Sequence, residues 1–382
     1  MGDFSAHAKS PVKSLAVIAE GPQILTGGGD STIKVWSMAD GTPKLHTTIN
    51  TPGPVHHIEI KDNSTVLFAD DECAVDTGGA NAPKVPSGVV RILNQANPTD
   101  MASSIVIRRS EEMPYAHPQS INSFVVLNGP DGLPYVLTSG LEGMIRMWRF
   151  SSQTNGFEHV GALEGHVRGI TALLLNDSHL WSASLDHTVR VWELNTSKCI
   201  GTLSAANGGH TAAVSCLAAI PAVASAPTGS ASFIVSGSMD GEVKMWQPGG
   251  ELAWSGSHAA EPGVGVTALH VFQDLIGGKH SLVANHKLII MWYSIHCFCY
   301  CFVGQPTLLI GLSDGKIMAR SCVTMGLLFS IDIANFGPHK IHMQTVWALT
   351  SLGHSCFVSS DNTGRVIIWR AMKPLIDAVT QM

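Results

Sequence analysis

The stretch WSASLDHTVRVW, Trp181–Trp192, sets a strand ending in small residues, an acidic turn and a second alternating strand that closes on tryptophan. Apolar and polar residues alternate on both sides of the turn, which is the period of a half-buried β-hairpin. The same phrase returns as LTGGGDSTIKVW (Leu25–Trp36), LTSGLEGMIRMW (Leu137–Trp148) and IVSGSMDGEVKMW (Ile234–Trp246). Recurrence at about 40 to 55 residues is the spacing of stacked or radial repeat units.

Weaker copies complete the set. FVSSDNTGRVIIW ends at Trp369, LLIGLSDGKIMAR keeps the turn but places Arg320 where the tryptophan belongs, and VLFADD with GVVRIL forms a hairpin closed by Leu93. Seven units result. Seven small sheets set radially close into a ring with short, protected edges, whereas an open array would expose unpaired strand backbone.

The chain has 382 residues, 45% hydrophobic and 14% charged, with 38 glycines, a net charge of −6 and a pI near 6.3. This suits a large turn-rich core and lacks the basic footprint of a dedicated nucleic-acid binder. The start, MGDFSAHAKSPVKS, has no apolar signal core, and eight cysteines are mostly scattered. A reducing intracellular compartment, nucleus or cytoplasm, is expected, without structural disulfides.

The repeats resemble the WD-repeat (WD40) family across nearly the whole chain. The resemblance implies an all-β, seven-bladed propeller over 1–376 with a tail at 377–382. It also implies buried tetrads of His, Ser or Thr, Asp and Trp. By position these are His7, Thr26, Asp30 and Trp36; His117, Thr138, Glu142 and Trp148; His166, Ser182, Asp186 and Trp192; and His210, Ser236, Asp240 and Trp246. A carboxylate beside an indole is tolerated in a core only when its oxygens are satisfied, with His, Ser and Trp as the expected donors. These residues are read as structural. The second, sixth and seventh units are expected to be degenerate, without complete tetrads. No copy carries the family's Trp-Asp pair: Ser37, Arg149, Glu193, Gln247 and Arg370 follow the tryptophans.

Phe157–Leu203 is most similar to plant proteins that join CCCH zinc fingers to a WD-repeat propeller. No C-x8-C-x5-C-x3-H array exists among Cys73, Cys199, Cys216, Cys297, Cys299, Cys301, Cys322 and Cys356, so zinc or RNA binding does not carry over by residue. A family finger would have to precede Met1. A ubiquitin-ligase substrate receptor is the alternative within the family, yet the Trp-Asp-x-Arg docking sequence is missing: WELN and WRAM are the nearest.

Enzyme motifs are absent. There is no GxxxxGK[ST], HExxH or GxSxG, and GGGD at Gly27–Asp30 lies inside a hairpin. Adjacent His56 and His57 point to opposite faces of a strand and cannot share one metal. No cofactor and no metal site are expected. Partner contacts are sought on loops, at the insertion 70–87, the linker 94–118 and the small-residue run Ile220–Ser232. Arg108, Arg109, Glu111 and Glu112 are the candidate charged docking element, beside the plainer reading of a solvated strand end. Protein partners of a monomeric propeller within a larger complex are expected, with no membrane contact.

IHCFCYCFVG, within 279–304, belongs to none of this. Cys297, Cys299 and Cys301 would spread over about 13 Å along a strand, too far for one ion. Leu288–Val303 is shorter than the roughly 20 residues of a membrane span. Its Phe, Cys, Tyr and Ile codons are T-rich, Gly278-Lys279 can encode a splice donor, and Val303-Gly304 can encode an acceptor. The segment is read as translated intron, a non-propeller excursion from the sixth blade. Ring closure has two candidates: the residues before His7, or MKPLIDAV from Met372.

Overall fold

The computed structural model describes residues 2–18, 23–38, 42–62, 65–73, 86–94, 104–108, 115–129, 132–221, 232–257, 263–272, 306–332, 336, 341–352 and 356–370. Within them lie 28 strands, β1–β28 in chain order, forming seven four-stranded antiparallel sheets. Each sheet is one blade.

The innermost strands are β2 (Val12–Ile18), β6 (Val55–Asp62), β10 (Ile121–Asn128), β14 (Ile170–Asn176), β18 (Val214–Ile220), β22 (Val266–Phe272) and β26 (Val346–Ser351). Each packs against the innermost strand of the next blade, and β26 packs against β2, so the ring is closed. The quoted repeats are the second and third strands of their blades. Trp36, Trp148, Trp192 and Trp246 sit opposite Ile24, Val136, Leu180 and Ile234, one register in all four.

The tryptophans bind blade to blade. Trp36 packs with Val358 and Val366 of the seventh blade, Trp148 with Leu67 and Val90 of the second, and Trp192 with Leu137 and Ile145 of the third. Trp246 packs with Trp181 of the fourth blade and Trp369 with Leu309 of the sixth. An indole is the largest apolar group available to fill such a wedge.

Two blades fill the wedge differently. Leu93 occupies the tryptophan register of the second blade, and Phe68 occupies the place that Thr26 holds in the first. A small hydroxyl residue plus a large indole has become two mid-sized apolar groups, a nearly volume-conserving exchange. A cavity of about 120 Å³ remains beside Leu93, lined by Leu25, Ile33 and Val66. In the sixth blade Arg320 takes the register, with its guanidinium 5.4 Å from the Trp254 ring centre and a hydrogen bond of 2.6 Å to the Met325 carbonyl.

The expected insertion 70–87 is shorter than the sequence implied. β7 (Thr65–Cys73) and β8 (Pro86–Asn94) stay paired from Thr65↔Asn94 out to Cys73↔Pro86, because the hairpin ladder runs past the usual turn. Residues 74–85 lie outside the described residues. The outer strand expected at Ser104–Arg108 is β9 (Ile105–Ile107). In the sixth blade β22 and β23 (Thr307–Leu312) pair up to Phe272↔Thr307; residues 273–305, and with them the expected excursion 279–304, lie outside the described residues.

Of the two closures, the N-terminal one is present. β1 (Gly2–Ser5) pairs antiparallel with β28 (Arg365–Arg370), from Gly2↔Ile368 to Ser5↔Arg365, as the outer strand of the seventh blade. Arg365 reaches Asp3 at 2.7 Å, the Phe4 ring packs tilted against Trp36 with centres 4.4 Å apart, and the Ala6 and His7 amides bond the Gly364 carbonyl. Gly364 has φ +88, and a Cβ there would collide with the His7 carbonyl. Only glycine fits at both counts.

Removal of residues 1–5 is expected to lower the midpoint of thermal unfolding by 5 °C or more, roughly, since four ladder positions and the Phe4 contact are lost. Removal of 372–382 should leave it within about 1 °C. Circular dichroism melts of both truncations decide; the reverse order would place the closure at the other end.

Candidate functional site

The sequence singled out four His-centred sets, and the structure assembles each at a hairpin turn. His166 precedes the first strand of its blade, and its Nδ1 lies 2.8 Å from Asp186 Oδ2 while its Nε2 lies 2.7 Å from Ser182 Oγ. Trp192 Nε1 donates to the same Oγ at 2.8 Å. A neutral imidazole with its proton on Nδ1 satisfies every member: indole N–H to hydroxyl, hydroxyl to Nε2, and Nδ1–H to carboxylate.

His7, Thr26, Asp30 and Trp36 repeat this at 2.8, 2.8 and 3.1 Å, and His117, Thr138, Glu142 and Trp148 repeat it with the longer acid. In the fifth blade His210 Nε2 and Trp246 Nε1 each lie 2.8 Å from Ser236 Oγ, but His210 Nδ1 stands 3.4 Å from Asp240. One detail differs from the expectation. Ser and Trp do not reach the carboxylate; the turn does. Asp186 accepts from the Val167 and Thr188 amides at 3.1 and 3.0 Å and from the Thr188 hydroxyl at 2.6 Å.

The seventh blade is not degenerate. His342 Nδ1 lies 2.7 Å from Asp361, its Nε2 lies 2.6 Å from Ser359, and Trp369 Nε1 donates to Ser359 at 2.7 Å. Asp361 stands two residues after the hydroxyl residue, whereas Asp30 and Asp186 stand four after theirs. The carboxylate therefore comes from the end of β27 (Cys356–Asp361) and not from the turn, yet meets the same imidazole nitrogen. The second and sixth blades have no such set among the described residues.

The second blade buries a different polar group. Asp70 is fully buried and takes Arg91 Nε at 3.2 and 3.3 Å, while Arg91 Nη2 reaches Glu72 at 2.9 Å. Sequence reading missed this pair because its members are separated by the insertion. On β6, burial pushes the Glu59 carboxyl up to about 7 despite a backbone hydrogen bond from Val126. Of the charged docking element, Arg108 is exposed, and Arg109, Glu111 and Glu112 lie outside the described residues.

Could the buried sets be catalytic? Asp186, His166 and Ser182 have the connectivity of an acid, a base and a nucleophile. The Ser182 side chain is fully buried, and its oxygen already accepts the Trp192 indole N–H. No substrate carbonyl can approach it. Burial alone would raise the Asp186 carboxyl, but hydrogen bonds from His166 and Thr188 outweigh it and hold the group well below the usual carboxylate range. Such a chain stores stability and offers no reactive group to solvent.

Replacing His342 by Ala is expected to cost about 2–4 kcal/mol in denaturant unfolding, comparable with His166→Ala, because each leaves a cavity and takes one buried partner from both the hydroxyl and the carboxylate. A loss below about 0.5 kcal/mol for His342→Ala alone would contradict the seventh tetrad. Glu59 acts in the opposite pH direction from Asp186. Its folded pKa lies above the ordinary 4.5, so it weakens the fold as pH rises from about 4.5 through 7, while the depressed Asp186 stabilises above about 3.8 and loses this as pH falls. Glu59→Gln should raise the melting midpoint at pH 8 and leave it nearly unchanged at pH 4.5; a pH-independent effect would refute this.

Comparison with known proteins agrees with the geometry. The family model "WD domain, G-beta repeat" matches residues 1–37, 157–193 and 197–247, which hold the tetrads of the first, fourth and fifth blades. Zinc finger CCCH domain-containing protein 17 of Oryza sativa subsp. japonica is 45% identical over 86 residues, 20% of this chain and 20% of that protein. Zinc finger CCCH domain-containing protein 59 of Arabidopsis thaliana is 25% identical over 197 residues, 51% of this chain and 34% of the relative. The angio-associated migratory cell protein of Canis lupus familiaris is 28% identical over 203 residues, covering 52% and 42%. The matches thus span from a fifth to about two fifths of these relatives' length. The crystal structure of the computationally designed Ika8 protein superposes with a TM-score of 0.57 at 20% identity, covering 96% of this chain and 98% of that one, which speaks to the fold alone. Repeat model, relatives and ring converge: the chain is a seven-bladed β-propeller that carries WD40 repeats in its first, fourth and fifth blades.

Proposed function

We propose that this chain is a non-catalytic scaffold that holds protein partners together in an intracellular complex of the nucleus or cytoplasm. One observation carries the reading: the groups with the chemistry for catalysis, five His-centred sets among the described residues, are spent inside the blades on rigidity. A ring so fixed offers loops on a stiff base, which suits recognition. The WD40 architecture itself fits protein interaction, and no described helix is long and apolar enough to cross a membrane.

The CCCH-named relatives favour a second reading, an RNA-associated factor whose contacts run through partners or through segments beyond those matched. A tagged full-length chain recovered from crosslinked cells, with and without nuclease, separates the two. Partners retained after nuclease are expected for the scaffold; partners lost on nuclease treatment support the RNA reading. Recovery of no partner in either arm, or turnover of a substrate by the pure chain, overturns both.

A further inference from the structure

The wedge between the first and second blades is filled less completely than its counterparts. In the first, third, fourth and fifth blades the outer strand lies opposite the tryptophan, so that Trp36, Trp148, Trp192 and Trp246 face Leu45, His159, Cys199 and Leu252. In the second blade β9 pairs only with Val90, Arg91 and Ile92, and Leu93 has no outer-strand neighbour among the described residues. Phe68 lies two residues along β7 from Val66, the partner of Leu93, and takes no part in lining the space beside it.

That space is the cavity of about 120 Å³. Its walls are aliphatic and buried: Leu25, Ile33, Val35 and Ile49 come from the first blade, Val66 and Leu93 from the second. Its polar lining is half-buried Gln23, at the start of β3 (Gln23–Gly28), with exposed His46 and half-buried Thr47 on the outer strand β5 (Lys44–Asn50). The cavity opens to solvent between these three. No Asp, Glu, Lys or Arg lines it, and the side chains of Gln23, His46 and Thr47 make no hydrogen bond among the described residues.

A void closed on every side by aliphatic groups is a packing flaw that costs stability. This one is open on one side and gathers its polar groups there, the make-up of a ligand pocket. An apolar protein cavity of about 150 Å³ stays dry and takes up a benzene ring. At about 120 Å³ with an open side, the present one holds a single six-membered ring whose substituent lies in the mouth. Aliphatic walls around a flat ring are also what this fold builds elsewhere: Trp192 packs with Leu137 and Ile145 in the wedge between the third and fourth blades. A charge among six aliphatic side chains would lose its hydration without a partner, so the ligand is neutral.

We infer that this cavity is a binding site for a small neutral molecule of the phenol class. The ring fills the gap beside Leu93, and its hydroxyl lies at the mouth, where Gln23, His46 and Thr47 supply both donors and acceptors. A tyrosine side chain of a partner would enter with its hydroxyl first and bury it unpaired among the aliphatic walls. The lining stays within this one wedge among the described residues, which suits a free molecule better than one side chain of a longer segment. The site goes beyond the scaffold reading and stands or falls without it, because the pure chain is tested with no partner present.

The test is a titration of the purified full chain, carbon-13 labelled at its Ile, Leu and Val methyl groups, with phenol and in parallel with N-acetyl-phenylalaninamide. Saturable shifts confined to Leu25, Ile33, Val35, Ile49, Val66 and Leu93 are expected, with a dissociation constant on the order of 1 mM or lower and nuclear Overhauser contacts from the ring protons to the same methyls. Leu93→Phe and Ile49→Phe fill the cavity from opposite blades, and each should weaken phenol by about tenfold or more, whereas Leu252→Ala on the fifth-blade rim should change nothing. Melting midpoints within about 2 °C of the parent show that a variant keeps the ring; if neither filled variant does, the Overhauser contacts alone decide. No saturable shift up to about 10 mM, shifts scattered over several blades, or full binding by both filled variants overturns the site. N-acetyl-phenylalaninamide bound about tenfold more tightly than phenol would assign the cavity to a partner's side chain and overturn the small-molecule assignment.

Discussion

The fold depends on one buried relay, in which an indole N–H meets a hydroxyl, the hydroxyl meets an imidazole, and the imidazole meets a carboxylate. Each relay ties three separate pieces of chain: the strand that ends in tryptophan, the strand before it, and the connection that enters the blade. In the fourth blade the links are 2.8, 2.7 and 2.8 Å. Because the side-chain polar atoms of this fourth-blade relay are paired inside the core, the desolvation cost is met there and the turn cannot shift without breaking several bonds at once. The tryptophan body then wedges against the preceding blade, so local order within a blade also sets the angle to its neighbour.

Where the relay is missing, the structure substitutes a different physics. The second blade exchanges hydroxyl and indole for Phe68 and Leu93 and places an Asp70–Arg91 ion pair nearby. A buried ion pair contributes geometry more than stability, since desolvation offsets most of its attraction. The sixth blade holds its register with Arg320 across Trp254, a cation over an aromatic face. These are also the blades bordered by residues 74–85 and 273–305, both outside the described residues.

Much of this was legible because the relay leaves a fixed trace in sequence: Ser or Thr ten residues before Trp, an acid in the turn between them, and a His upstream. The trace misled where geometry allowed another route. Asp361 reaches His342 from two residues after Ser359, so the seventh blade read as incomplete although its bonds are no longer than those of the fourth. Asp70 and Arg91 could not be paired by eye across an insertion whose strands run further than their apolar pattern suggests. Ring closure by GDFS was one of two options because four residues carry too little pattern to choose. The one-residue bulge near the start of each innermost strand needed the register, since the residues there, Lys13, His56, Asn122, Thr171, Ser215, Thr267 and Trp347, have no common type and become equivalent only when the strands are aligned.

Hydrogen exchange at the tryptophan side chains tests the central claim most directly, with each indole N–H followed by nitrogen-15 NMR. If the relays lock the ring, the Nε1 protons of Trp36, Trp148, Trp192, Trp246 and Trp369 exchange together and only on global unfolding, whereas Trp347, exposed and bonded to Asn362 at the surface, exchanges orders of magnitude faster. Exchange of Trp369 as fast as that of Trp347, or five unrelated rates among the buried set, would contradict it.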